Sequence, residues 1–183
     1  FGFELEEHHT AQLSLGESSA VARALEQTQS LLRGTLGTDD ELADSAAEAD
    51  RRALEKIRGF LQTLVDYEAV CTVQLGESVV VFSDLGQVRT SLARLSQENL
   101  REDEEELSGE LQGVLPKARA FEFKLADTGQ VIRGKIGPTI ADADALNEVL
   151  HRNTRIKVVV TRVGNGRPRY LLTEGPPPPN DDA

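Results

Sequence analysis

The residues from Gly129 to Lys135 have the spacing of a phosphate-binding loop, in which backbone N–H groups and a lysine hold phosphate oxygens. They match the first seven positions of that motif, but the eighth must be Ser or Thr to reach magnesium, and Ile136 stands there. The residues between the two glycines also have the composition of a strand, whereas a phosphate cradle needs a loop that opens onto a helix. We therefore expect a strand here and no nucleotide chemistry.

The other residues that do chemistry in proteins form no catalytic or metal-binding pattern. Asp142 and Asp144 begin like a calcium loop, but no glycine follows at the sixth position, so we interpret both as helix-capping carboxylates. His8 and His9 are adjacent and would point to opposite faces of a strand. Cys71 lies in a predicted strand, where a small buried hydrophobe is its expected role. We expect a non-catalytic protein with no cofactor and no metal.

The composition is that of an acidic globular protein. The chain has 183 residues with a formal net charge of −11, and 39% of its residues are hydrophobic. Its apolar runs are far shorter than the roughly 18 residues that span a bilayer, so we expect no membrane association. A single cysteine and no secretory leader favour the cytoplasm, and fifteen arginines against five lysines favour a bacterial source. Because the sequence contains no methionine, we expect it to be a piece of a longer product.

The first 65 residues are predicted to form one strand and two helices. Apolar side chains alternate over residues 1–5, which is typical of a strand. A helix should follow and end near Gly34. Thr38 and Glu41 then form a capping box, and apolar residues at helical spacing predict a single helix over residues 39–65.

A β-hairpin and a further helix complete the predicted N-terminal domain. Residues 69–75 and 78–82 are rich in β-branched side chains and flank Gly76-Glu77, which indicates a hairpin. Asp84 or the residue before it should cap the next helix. The first domain, residues 1–101, is therefore expected to have the order β-α-α-β-β-α.

Five consecutive acidic residues, 102–106, predict a boundary, because such a run repels itself. We expect an acidic linker at residues 102–108 and a second domain at residues 109–174. The second domain shows three strands, a short helix over about 141–151 and two more strands. This β-β-β-α-β-β order is OB-like, that of a small five-stranded barrel. The predicted fold class is α+β, an N-terminal helical part with a short β-hairpin plus a C-terminal small five-stranded β-barrel, and residues 175–183 should be a disordered Pro-rich acidic tail.

The two predicted domains differ in charge. Residues 1–108 carry 22 acidic and 9 basic side chains, whereas residues 109–174 carry 7 acidic and 11 basic ones. The basic residues alternate with apolar ones along the strands, so many should share the outer surface of the barrel. The candidate binding face consists of Lys124, Arg133, Lys135, Arg155, Lys157, Arg162, Arg167 and Arg169. The candidate acidic face, on the polar side of the predicted helix 39–65, consists of Glu41, Asp44, Glu48 and Asp50.

Three interpretations of the basic face remain open: a solvated exterior, a dock for an acidic surface of this chain or of another protein, and a nucleic-acid site. Two observations oppose nucleic-acid binding. The second domain offers only Phe121, Phe123 and Tyr170 for base stacking, and the whole chain is acidic. The leading hypothesis is a non-catalytic interaction protein of unknown protein partner and unknown oligomeric state, of an immunity- or antitoxin-like kind. The alternative is a nucleic-acid-associated accessory protein, and a third is an enzyme with a site between the domains.

Overall fold

The computed structural model describes Gly2 and residues 20–176 of the chain. The predicted opening strand and nearly all of the predicted tail lie outside these residues. The helical part contains α1 (Ala20–Leu36), α2 (Asp39–Ala47), α3 (Arg51–Asp66) and α4 (Leu85–Arg94), with strands β1 (Thr72–Leu75) and β2 (Ser78–Val81) before α4. The barrel contains β3 (Leu100–Leu115), β4 (Ala120–Leu125), β5 (Val131–Ile136), β6 (Asn153–Val163) and β7 (Arg169–Glu174).

The single helix predicted over residues 39–65 is wrong, because the chain forms two helices there. The predicted capping box starts α2: the Thr38 hydroxyl accepts from the N–H of Glu41 at 3.2 Å, and the Glu41 carboxylate accepts from the N–H of Thr38 at 2.6 Å. Asp50 then caps α3 by accepting from the N–H of Ala53 at 2.7 Å. The apolar period continues across the break, so each helix buries its own face in one core.

The first helix ends near Gly34, as predicted, although α1 continues for two more residues, to Leu36. A Cβ at Gly34 would lie 3.0 Å from Ser45 Oγ and 3.1 Å from Leu42 Cα. The glycine therefore allows α1 and α2 to approach each other closely, and it does not terminate the helix.

The hairpin and the helix after it are confirmed. Strands β1 and β2 pair antiparallel around a turn in which Gly76 has φ +55°, a conformation that favours glycine. Val80 and Phe82 point into the helical core, where full burial of such a side chain stabilises the fold by roughly 1.5–3 kcal/mol. The carboxylate of Asp84 accepts from the N–H of Gln87 at 2.9 Å and starts α4.

The predicted five-stranded barrel with OB-like order is confirmed, and with it the α+β class. The sheet closes in the order β3-β4-β5-β7-β6, with β5 and β7 parallel and the other pairs antiparallel. Between β5 and β6 the predicted short helix is a 3₁₀ helix over Ala145–Val149. The barrel interior forms a second core around Phe121, Phe123 and Leu172.

The predicted acidic linker at 102–108 is wrong, because these residues form the first half of β3 and pair with β6. Consecutive side chains of a strand point to opposite faces, so the five carboxylates do not crowd one surface. Arg155 and Arg162 on β6 also offset their charge. With this strand included, residues 100–174 carry twelve basic and twelve acidic side chains, so the barrel as a whole is neutral.

Two glycines allow the barrel to close. Gly109 lies where β3 passes from pairing with β6 to pairing with β4, and a Cβ there would lie 2.0 Å from the carbonyl oxygen of Lys124. Gly134 on β5 lies opposite Tyr170 on β7, where a Cβ would lie 2.4 Å from the carbonyl oxygen of Tyr170. At both positions the neighbouring strand occupies the space that any side chain would need.

The helical core extends onto two residues of the barrel strands. Leu100, where β3 begins, and Val163, where β6 ends, are buried among the helical core residues. Helix α2 packs against the outer side of β6 and β7, and Thr161 is buried there. The helices therefore cover one end of the outer barrel surface and leave the β4–β5 side open.

Candidate functional site

Carboxylates of the same chain pair with five of the eight residues of the predicted basic face. Within the described part of the chain the ion pairs are Arg133 with Glu122, Arg155 with Glu106, Lys157 with Glu174, Arg162 with Asp103 and Glu105, and Arg169 with Asp40 and Asp44. The ammonium of Lys157 donates a hydrogen bond to the carboxylate of Glu174, and this bond raises the pKa of Lys157. These pairs lie on different faces of the barrel, so the eight residues do not form one positive patch.

Lys124, Lys135 and Arg167 have no ion pair among the described residues. Lys124 on β4 and Lys135 on β5 lie on either side of the pair formed by Arg133 and Glu122. Arg167 lies apart from them in the loop between β6 and β7. The unpaired positive charge of the β4–β5 face is therefore small.

Three of the four residues of the predicted acidic face are used inside the fold. Glu41 belongs to the capping box, where the backbone N–H and the hydroxyl of Thr38 hold the pKa of its carboxyl below the usual value. Asp50 caps α3, and Asp44 binds Arg169. Glu48 is exposed at the end of α2. This surface is largely occupied by contacts of the chain with itself.

The predicted acidic and basic faces meet at Arg169. Its guanidinium donates to the carboxylate of Asp44 and, at 3.2 Å, to that of Asp40, both on α2. The hydrogen bond that Arg169 donates to the carboxylate of Asp44 is the largest cause of the raised pKa of Arg169. Beside it, a Cβ at Gly164 in the β6–β7 loop would lie 2.9 Å from the carboxylate of Asp39. Charge complementarity thus docks the helical part on the barrel, one of the interpretations that the sequence left open.

The charges of the two parts also influence each other at Glu102, although no ion pair joins Glu102 to the helices among the described residues. Its carboxyl, on β3, lies within the field of Arg51 and Arg58 of α3. Partial removal from water raises the pKa of Glu102, and the two arginines counter that change. The surface of the barrel that meets the helices is therefore occupied by the chain's own groups.

The hairpin differs from the barrel because, among the described residues, no further strand pairs with its edges and its outer face is exposed. Neither β1 nor β2 contains a charged residue, and their sheet has two strands within the described residues. The N–H of Phe82 donates to the carbonyl of Cys71 at 3.0 Å, and hydrogen-bonded pairs alternate along an antiparallel ladder. Val79 and Val81 therefore point their N–H and C=O groups away from β1. Their side chains are 44% and 47% exposed.

Helix α1 holds this hairpin firmly. The buried side-chain amide of Gln29 donates to the carbonyl of Ser78 at 2.8 Å and to that of Val73 at 3.4 Å. Arg33 donates to the hydroxyl of Ser78 at 2.5 Å. A two-stranded sheet is marginally stable by itself, so these contacts fix the hairpin in one position. The edge of β2 is thus preformed.

An open cleft of about 670 Å³ lies beside Val81, between the C-terminal end of α1 and the first turns of α4. Arg94 forms part of its wall, and its guanidinium donates to the carbonyls of Thr35 at 2.7 Å and Gly37 at 2.6 Å. It also pairs with Asp39 at 3.0 Å. Because the charges of the wall are paired, the groups free to contact an occupant are neutral: Leu36, Val81, Gly86, Gln87 and Thr90.

Sequence reasoning predicted the hairpin but did not single it out as a functional element. Natural proteins protect sheet edges with Lys, Pro, bulges or a covering segment. The sequence offers none of these protecting residues between 78 and 82, where three valines and a phenylalanine follow one serine. That absence of protection was the available signal.

The other sites considered in the sequence lie within the described residues, except His8 and His9, which lie outside them. The segment that resembles a phosphate-binding loop forms β5, as expected. Burial raises the pKa of the Cys71 thiol, which disfavours the reactive thiolate. Across residues 20–176, no His, Cys, Asp and Glu side chains are grouped to hold a metal ion. In the same range, no helix has the length and apolar character that a membrane crossing requires.

Comparison of the chain with protein-family models, with curated proteins and with solved structures found no match. The geometry of the hairpin, the cleft and the barrel therefore has to carry the functional conclusion.

Proposed function

We propose that the protein is a non-catalytic binding protein that uses the outer face of the β1–β2 hairpin and the adjoining cleft to dock another protein. The observation that carries this is the uncharged, half-exposed valine surface on a hairpin that α1 holds in place. Val79 and Val81 share this face with Thr72 and Gln74. A large exposed apolar patch with a polar rim is typical of an interaction site.

Exposed apolar side chains are concentrated in the helical part, which carries this surface. Among the described residues, seven of the nine large exposed hydrophobic side chains lie in the helical part: Val21, Leu36, Phe60, Tyr67, Val70, Val79 and Val81. The barrel contributes Leu115 and Val131. Leu36 and Val81 border the cleft, so an extended segment lying there would contact apolar groups on two sides.

The engagement of acidic residues on α2 and before α3 determines what kind of partner fits. Since Asp44, Glu41 and Asp50 are engaged inside the fold, a strongly basic partner of an antitoxin-like complex gains little from that face. Apolar contacts with the exposed valines and with the uncharged wall of the cleft would supply most of the affinity instead. Binding should therefore change little with ionic strength.

Photo-crosslinking tests this proposal. A photo-reactive residue at Val79 should crosslink a partner protein, whereas the same residue at Val131, which is 47% exposed on β5, is the matched control. We expect a crosslinked partner from the hairpin and none from the barrel. Crosslinking from Val131 alone, or from neither position in cells of the source, would overturn the proposal.

The alternative, nucleic-acid binding on the barrel, is supported by the OB-like strand order. Such barrels bind oligonucleotides on the face of their second and third strands, here β4 and β5, which carry Lys124 and Lys135. Phe121 and Phe123 point into the core and offer no stacking surface. Titration of single-stranded DNA and RNA at low salt separates the two functions. Undetectable binding removes this alternative, whereas salt-sensitive binding that is lost on Lys124→Gln with Lys135→Gln supports it.

A further inference from the structure

The edge of β2 has outward-pointing backbone groups in addition to its exposed side chains. The N–H and C=O groups of Val79 and Val81 point outward, and neither valine amide donates a hydrogen bond to another described residue. The cleft beside Val81 leaves room along this edge. A further strand could therefore pair with β2 and extend the sheet of the hairpin.

We infer that the added strand is β2 of a second copy of this chain, paired antiparallel so that two hairpins form one four-stranded sheet. This goes beyond the proposed function, which concerns a different protein on the outer face of the hairpin and in the adjoining cleft. The two proposals share Val81 and the cleft beside it but differ in the occupant, so the mass of a crosslinked product distinguishes them.

The sequence of β2 is self-complementary in this arrangement. With a two-fold axis beside Val80, Val79 lies opposite Val81 of the partner subunit, and Val81 lies opposite Val79 of the partner subunit. All four residues point their backbone groups toward the other copy, so the register forms four hydrogen bonds. A slip of one residue would place inward-pointing groups at the junction and lose these bonds.

Charge does not oppose a second copy at this edge. The chain has a net charge of −11, so two copies repel one another where their acidic helical parts approach. The strands of the hairpin carry no charge, and valines of the two copies become cross-strand neighbours there. The outer faces of the two hairpins would join into one continuous apolar surface.

Proline substitution tests the edge directly in the full chain. Val81→Pro removes an outward N–H and leaves the β1–β2 ladder intact, because proline is tolerated where the N–H faces away from the partner strand. Thr72→Pro is the matched control, since Thr72 is the register partner of Val81 and removes an outward N–H from the opposite edge. Sedimentation equilibrium over a concentration series measures the dimer dissociation constant.

We expect the wild-type chain to dimerise, Val81→Pro to raise the dissociation constant about tenfold or more, and Thr72→Pro to leave it unchanged. A wild-type chain that stays monomeric to millimolar concentration overturns the inference. Equal weakening by both prolines also overturns it, because the contact would then not lie at β2.

Charge exchange gives a second test if a proline variant fails to fold. A chain with Val79→Lys and Val81→Lys, and another with Val79→Glu and Val81→Glu, should each be monomeric. Their mixture should form a heterodimer, because introduced lysines face introduced glutamates in the stated register. A mixture that stays monomeric contradicts the register.

Mass spectrometry of the crosslinked products at Val79 separates the two proposals. A product of twice the chain mass supports the dimer, and a product that contains another protein supports the proposed function. A monomer that still crosslinks another protein would leave the proposed function standing and remove the dimer.

Discussion

The barrel and the hairpin are β-structures of one chain that treat their edges in opposite ways. In the barrel each strand has two neighbours, and its charged side chains pair with one another, as Arg133 does with Glu122. In the hairpin the outer groups of Val79 and Val81 lack a neighbouring strand among the described residues, and no charge protects them. Among the described residues, the strands of the barrel pair only with one another, whereas the outward backbone groups of β2 have no partner strand.

The largest expected effect comes from opening the barrel at Gly109. Gly109→Ala places a Cβ 2.0 Å from the carbonyl oxygen of Lys124, so the backbone must shift, and we expect the free energy of unfolding to fall by about 3 kcal/mol. Guanidinium denaturation followed by circular dichroism measures this. The control is Gly113→Ala in the same strand, where a Cβ meets no atom within 4 Å. Similar losses at both glycines would show that close strand approach is not the cause.

The second-largest effect is a difference in stability between substitutions on the buried and the exposed face of the hairpin. Val80→Ala removes methyl groups from the buried face and should reduce the free energy of unfolding by about 2 kcal/mol. Val79→Ala, on the exposed face, should change it by less than about 0.5 kcal/mol. Urea denaturation of dilute samples compares them. A loss at Val79 as large as at Val80 would mean that the outer face is covered within the monomer.

A smaller effect concerns the junction between helices and barrel. Arg169→Gln should destabilise by about 1 kcal/mol, because a quarter-exposed guanidinium loses Asp40 and Asp44 together. Arg133→Gln breaks a pair that is mostly solvent-exposed and should cost no more than about 0.3 kcal/mol. Thermal unfolding at low and high salt compares the two variants. Equal costs would show that the docking of α2 does not depend on Arg169.

The smallest effect is a pH dependence at the start of α2. The capping box lowers the pKa of Glu41 in the folded chain, so the stability it contributes is present above the ordinary glutamate range and is lost as pH falls through the folded pKa. The difference in stability between wild type and Glu41→Gln should therefore shrink on acidification below about pH 4. Urea midpoints measured from pH 7 to pH 3 follow it, with the exposed Glu48→Gln as baseline. A difference that grows on acidification would contradict the cap.

Local signals predicted much of the fold. Alternation of apolar residues and the glycines of the turns, such as Gly129 and Gly164 with positive φ, predicted the strand order of the barrel. The capping box at Thr38 was also readable. The errors arose where a prediction from neighbouring residues ignored a contact with residues distant in the sequence. The acidic run at 102–106 repels itself along the sequence, but β6, about fifty residues away, supplies Arg155 and Arg162.

The candidate site was less predictable for the same reason. The positions of Arg133 and Arg169 on the surface followed from the alternation, but their carboxylate partners come from other strands or from α2. Asp50 was placed on a polar helix face, although its position before Ala53 makes it a cap. An uncovered edge is a property of the assembled sheet, and the composition of β2 indicates it only indirectly.

The amide of Gln29 holds both strands of the hairpin at once, through the carbonyls of Val73 and Ser78. Detachment of the hairpin from α1 would break both contacts together. We therefore expect the folded protein, and not a partly unfolded form, to expose the edge of β2. Assembly through this edge would consequently start from folded protein. Its rate should not rise with mild denaturant, as it does for assemblies that begin from unfolded chains.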